Sequence, residues 1–183
     1  KFLVAVLFLA EYNQQNGRDG YNHEPNDFET CCLDTTSVLQ DVIDVADNMR
    51  DEDAAEVYAL SGDSPKGGLL YCYLASKPCI TMTSRHGYLM GMYGVIPERE
   101  GVGRIWMLGR NEMTTDKLDK ITFLRQARIE LDKLHKKYPL LFNVIDARNQ
   151  VHIDWIRWMG FTIIKRHPQL GVEARPFYEF VRI

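Results

Sequence analysis

Between Leu141 and Phe161 the chain spells out a complete strand–helix–strand unit, and no other stretch limits the possible folds so tightly. Leu140–Asp146 is an apolar run of the length that suits a buried strand. Asn149 stands where a helix running through Met159 needs a cap, because its side-chain oxygen can accept from the orphan N–H groups of the first turn. Gly160 then supplies a left-handed turn, and Phe161–Arg166 reads as the returning strand. An apolar strand, a covering helix and a second strand commit this part of the chain to a sheet with helices on its faces.

The elements around that unit extend the same plan. Asp116 to about Tyr138 is a long amphipathic helix, with Ile121, Leu124, Ala127, Leu131, Leu134 and Tyr138 as its apolar stripe and Pro139 as its stop. Its Lys and Arg residues form a solvated face. Ahead of it, Cys79–Thr83 and Tyr88–Ile96 form a hairpin about Arg85-His86-Gly87, and Arg104–Leu108 is a third strand after the turn-rich Pro97–Gly103. Pro176–Ile183 alternates as a final strand.

Near the N-terminal side, Ser37 caps a helix carrying Val38, Val42, Val45, Ala46 and Met49. A second short helix begins at Asp51 or Asp53, sets Ala54, Val57 and Tyr58 on one side, and stops at Gly62. Gly67-Gly68 opens a mixed stretch to Pro78. The expectation is an α/β domain over residues 37–183, with a mixed central sheet flanked by helices.

Residues 1–36 read as an extension. Lys1 followed by Phe2–Ala10 resembles the core of a signal peptide, but a buried strand suits its length and composition better. The absence of an initial Met fits a trimmed start. Glu11–Ser37, with Asn16-Gly17, Asp19-Gly20 and Glu24-Pro25, has loop chemistry and the length of a clamp.

Charge and residue counts exclude several functions. The formal net charge is 22 − 25 = −3, so no polybasic field exists for nucleic acid or anionic lipid. No run is long enough to span a bilayer. Cys31, Cys32, Cys72 and Cys79 form no C-x-x-C pair with partner histidines and read as free thiols. The five histidines are scattered, so no metal site is expected.

Asn149 and the Gly160-Phe161 pair, eleven residues on, resemble the last strand–helix–strand unit of GNAT acetyltransferases. In order along the chain come Asn48-Met49-Arg50, Glu56, Leu60-Ser61-Gly62, Met92-Tyr93-Gly94-Val95, Ile105–Gly109, Tyr138-Pro139-Leu140 and Asp146–Asn149. That series resembles the acetyltransferase-like proteins of tailed phages, including the internal virion proteins of short-tailed phages, over roughly residues 42–183. The resemblance implies a GNAT-like fold, and acetyl-CoA as cofactor if the chain is active. The cofactor-contacting positions would be Ile105, Met107, Leu108, Gly109, Arg110, Thr114, Thr115 and Asn149.

Against the requirements of such an enzyme the sequence is uneven. The loop Gly109–Asp116 that should cradle a pyrophosphate has one glycine, and Glu112 and Asp116 beside it oppose an anion. Arg99-Glu-Gly101-Val-Gly103 offers an alternative register for that loop, although a tight turn before a strand is the simpler role. The Tyr that acts as general acid in the family lies seven residues after the Asn, and Ile156 stands there. Asp146, at the end of a central strand, is the best-placed base; Asp154 and Glu100 are weaker, and pairing with Arg148 is the structural alternative for Asp146. Trp155 and Trp158 suit core packing.

The expected function is therefore a phage virion-associated or assembly protein on a GNAT fold with degraded catalysis, found in the virion or host cytoplasm and partnered by phage structural proteins or itself. The alternative is an active acetyl-CoA-dependent N-acetyltransferase for a small amine or protein amine. A binding module using the old cleft for another ligand ranks third.

Overall fold

The computed structural model describes residues 35–84, 86–114 and 117–183. The apolar run and loop of the N-terminal extension lie outside the described residues, as do Arg85 of the hairpin turn and Thr115 and Asp116. Within them the order is α1 (Thr35–Asp47), α2 (Asp51–Ser61), α3 (Pro65–Ala75), β1 (Cys79–Thr83), β2 (Leu89–Arg99), β3 (Val102–Gly109), a 3-10 turn (Asn111–Thr114), α4 (Lys117–Lys137), β4 (Leu140–Asp146), α5 (Gln150–Trp158), β5 (Thr162–Leu170) and β6 (Arg175–Arg182). The strands form one six-stranded sheet in the order β1-β2-β3-β4-β6-β5, so the expected mixed sheet flanked by helices is what forms.

The helix starts differ from expectation, since α1 begins at Thr35, ahead of Ser37, and Arg50 rather than Asp51 or Asp53 precedes α2; one further element differs in kind. The stretch after Gly67-Gly68 is a helix, α3, despite its two glycines. Ser64 caps it by accepting from Gly67 N–H, and Pro65 occupies its first turn. Gly68 faces Val57 so closely that a Cβ would lie 2.5 Å from Val57 Cγ1, and the missing side chain lets α3 close on α2. Tertiary packing thus outweighs the helix cost of glycine.

Two cores sandwich the sheet. Val42, Val45, Met49, Leu69, Met92 and Trp106 gather under α1–α3 on one face. Leu131, Leu134, Leu141, Ile145, Ile153 and Ile156 gather under α4 and α5 on the other. The Asn149 cap holds as expected, with Oδ1 accepting from His152 N–H, and Gly160 takes a φ of +87° on the way into β5. Arg99–Gly103 forms the tight turn joining β2 to β3, well inside a strand-to-strand connection.

Among the described residues no helix is long and apolar enough to cross a membrane, and no group of three His, Cys, Asp or Glu is placed to hold a metal ion.

Candidate active site in the splay between two strands

The sheet contains one parallel contact, and it is short. β3 pairs with β4 only over Val102–Arg104 against Leu140–Phe142; beyond that point the strands separate. Ladder alternation tells which backbone groups face the gap. Arg110 N–H donates to Met90 O, so in the β2–β3 ladder Leu108 and Trp106 turn toward β2, while Ile105, Met107 and Gly109 turn toward β4. Ala147 N–H donates to Pro176 O, which by the same alternation turns Val144 and Asp146 of β4 toward β3.

Most of those groups are spoken for. Asn143 staples the gap near its closed end: its Nδ2 donates to Ile105 O at 2.7 Å, and its Oδ1 accepts from Val144 N–H at 2.8 Å. At the far end, Gly109 N–H donates to Asp53 Oδ2 at 2.9 Å and Gly109 O accepts from Arg50 N–H at 2.9 Å, which fastens the start of α2 to the end of β3. Between these ties lie the N–H and C=O of Met107 and the N–H of Asp146. A cavity of about 220 Å³ occupies this place, and it passes through the sheet. Met82, Ile105, Met107, Phe123, Trp155 and Ile156 line it on the α4–α5 side; Glu56, Val57, Leu60 and Cys72 line it on the other.

Four buried polar atoms at this place have no hydrogen-bond partner: Glu56 Oε2, Asn149 Nδ2, His152 Nδ1 and Trp155 Nε1. Buried polar groups in folded proteins are almost always paired, so a cluster of orphans marks a place prepared for something else. Burial pushes the Glu56 carboxyl up to about 8, and the nearby Asp53 charge adds to the rise. The Asp146 N–H and the Asn149 amide face that carboxyl and offset only part of it. Burial, aided by the Arg50 charge, drives the His152 imidazole down to about 4, so it stays neutral at ordinary pH. Its ring packs 5.2 Å from Trp155, which stacks at 5.9 Å on Phe123.

The residues singled out in the sequence separate into groups. Ile105, Met107 and Leu108 line the cavity, and Asn149 stands beside it next to Glu56. Gly109 and Arg110 lie elsewhere: Gly109 is bound to Asp53 and Arg50, and the Arg110 guanidinium sits between Asp44 at 3.6 Å and Glu112 at 3.3 Å. Thr114 belongs to the 3-10 turn, and Thr115 lies outside the described residues. The Asp146 side chain turns to Arg148, which holds it through its guanidinium and its backbone N–H. Burial raises that carboxyl, yet the Arg148 hydrogen bonds outweigh it and leave the pKa below the ordinary carboxylate value, which suits an ion pair better than a base.

Asp154 is exposed and paired with Gln150 and Arg157, and Glu100 is exposed in the β2–β3 turn. Ile156 is 2% exposed and forms cavity wall. Trp155 also lines the cavity, whereas Trp158 is a surface residue under the Arg128 guanidinium at 3.7 Å.

Glu56, His152 and Asn143 escaped the sequence as site residues. Glu56 sits in a helix whose first turn is acidic, Asp51-Glu52-Asp53, so it reads there as one more solvated charge. A faint signal exists: Glu56 and Leu60 share a helix face with Asp53, so a carboxylate continues the inward stripe.

No protein-family model matches the chain, and no curated protein matches it in sequence. Solved structures do match in shape. Spermidine N-acetyltransferase from Vibrio cholerae, in complex with CoA and spermine, superposes with a TM-score of 0.58 at 10% identity, covering 78% of this chain and 89% of that one. The GNAT-family acetyltransferase of Bacillus anthracis gives 0.56 at 9% identity over 79% and 90%. The ribosomal-protein-S18-alanine N-acetyltransferase of Escherichia coli gives 0.55 at 13% over 81% and 88%. The chain has the GNAT acetyltransferase fold.

Proposed function

We propose that the protein is an acyl-CoA-dependent N-acyltransferase that acts on a primary amine, with Glu56 as its base. The observation that carries this reading is the Glu56 carboxyl at the open part of the β3–β4 splay, with its buried Oε2 left without a partner beside Asp146 N–H and the Asn149 amide. Acyl-CoA, when bound, supplies the acyl group as a thioester. The splay suits its pantetheine arm, since Met107 presents both an N–H and a C=O in extended geometry and Phe123 and Trp155 wall the slot. Trp155 Nε1 is a buried donor without a partner that can hold a carbonyl oxygen. The phosphate end has fewer choices: Gly109, Arg110, Asn111 and Met113 all donate their N–H groups within the protein. Among the described residues, Thr114 and the start of α4 are left to hold it.

Glu56 takes a proton from the substrate ammonium onto its carboxylate, leaving the neutral amine as nucleophile. A carboxyl held near 8 keeps both a useful charged fraction and real basicity at neutral pH, which an ordinary glutamate does not. Ile156 supplies no proton at the position where the family has its Tyr. Titration with acetyl-CoA tests the reading: ligand at about 100 times its Kd stabilises a fold by about 2.7 kcal/mol, which for a chain of this size raises Tm by several degrees. An unchanged Tm at millimolar acetyl-CoA sinks it.

Two observations favour a second reading in which the protein keeps the fold without catalysis, and we propose a phage virion-associated or assembly role for that case. Ile156 removes the proton donor, and Asn143 occupies backbone groups of the splay. This reading expects the protein to travel with particles or partner subunits, in the virion or the host cytoplasm. Recovery only as free protein from lysate counts against it.

A further inference from the structure

The cavity on the α2–α3 side of the sheet has a composition that narrows the amine. Its walls there are Val57, Leu60 and the ring of Trp106, whose only polar atom is already used in a 2.7 Å hydrogen bond to Ser76. Cys72 contributes a thiol that burial keeps protonated, with its pKa pushed up to about 12, so it brings no second anion. Glu56 is the one carboxylate on this side. The other carboxylate of the lining, Glu130, comes from α4 across the sheet and is held by Gln126 and Lys133. At about 220 Å³ for the whole cavity, the space is below the roughly 300–1,000 Å³ of sites for larger ligands.

We infer that the acceptor is a compact primary amine on an apolar body, an alkylamine or arylalkylamine with one cationic centre, seated against α2 and α3 with its nitrogen at Glu56. This rests on the acyl-transfer reading for the chemistry but on the cavity walls alone for the occupant. A polyamine brings a second ammonium that would be buried here without a partner, and a peptide N-terminus brings amide groups that apolar walls leave unsatisfied. Either costs more than the single ion pair returns.

The test measures binding and transfer separately. Calorimetry with the full chain and no acyl donor compares 2-phenylethylamine, n-pentylamine, spermidine and an alanine-led tripeptide, for the wild type and for Glu56→Gln. Thiol release from acetyl-CoA is then followed with the same four amines. The expected result is binding of the two monoamines, weakened at least about tenfold in Glu56→Gln, and a kcat/KM for 2-phenylethylamine at least about tenfold above that for spermidine or the tripeptide. Transfer that favours spermidine or the tripeptide overturns the inference and leaves the acyl-transfer reading standing. Monoamine binding that depends on Glu56, with no amine acetylated, keeps the occupant and removes the reaction. No binding and no transfer overturns both.

Discussion

Glu56 and His152 share a cavity, and burial moves them in opposite senses. The Glu56 carboxyl is raised from 4.5 to about 8, so the folded state holds its proton more tightly than the unfolded chain does; its contribution is full below pH 4.5 and is lost as pH rises toward 8. His152 falls from 6.5 to about 4, so the folded state binds its proton less well, and stability is lost as pH drops through that window. The expected Tm profile therefore declines on both sides. The two slopes offset each other between about pH 4.5 and 6.5; Glu56→Gln removes the decline between about 6.5 and 8 and leaves a rise from about 4 to 6.5, His152→Gln leaves a continuous decline from about 4.5 to 8, and calorimetry across that range distinguishes them. In turnover, Glu56→Gln lowers kcat by about 100-fold or more and removes the kinetic limb near pH 8 without preventing acetyl-CoA binding. Asp146→Asn, by contrast, loses an ion pair with Arg148 and keeps that limb. Asp146 was the candidate base in the sequence because strand ends carry function; Arg148, two residues on, already indicated the pairing that forms.

The splay belongs to the scale of elements, because it depends on two strands that part after three residues of pairing. Asn143 decides how wide it stands. Replacing it with Ala leaves Ile105 O and Val144 N–H without their partner, a loss of about 1–3 kcal/mol where the groups stay dry. Hydrogen exchange at Val144 should speed up while that at Leu141, deep in the paired part, stays slow; equal rates at both would show that Asn143 does not hold the gap. The Asp53–Gly109–Arg50 tie works the same way at the other end and seats the start of α2 against the end of β3. α3 shows the limits of local signals at this scale: two glycines hide a helix until the approach of Val57 to Gly68 is known.

For the whole molecule, the sheet with a core on each face places the cavity at the one break in the sandwich. Ile145, 1% exposed, belongs to the α4–α5 core and also to the cavity lining. Ile145→Ala should cost about 2–5 kcal/mol, which at this chain length lowers Tm by roughly 4–20 °C in a melt followed by circular dichroism. A shift under a degree would mean that the cavity already lets this region relax. The sequence by itself determined the order of strands and the long helix, the Asn149 cap and the Gly160 turn. Each of these rests on interactions within a few residues, or on an apolar period that a chain carries with it. Only the tertiary structure decided that Glu56 is buried rather than solvated, that Asn143 staples the splay, and that Gly109 is taken by Asp53 and Arg50. These pairings join residues from α2, β3, β4 and α5, and burial, which sets the Glu56 proton affinity, exists only once those elements have closed around it.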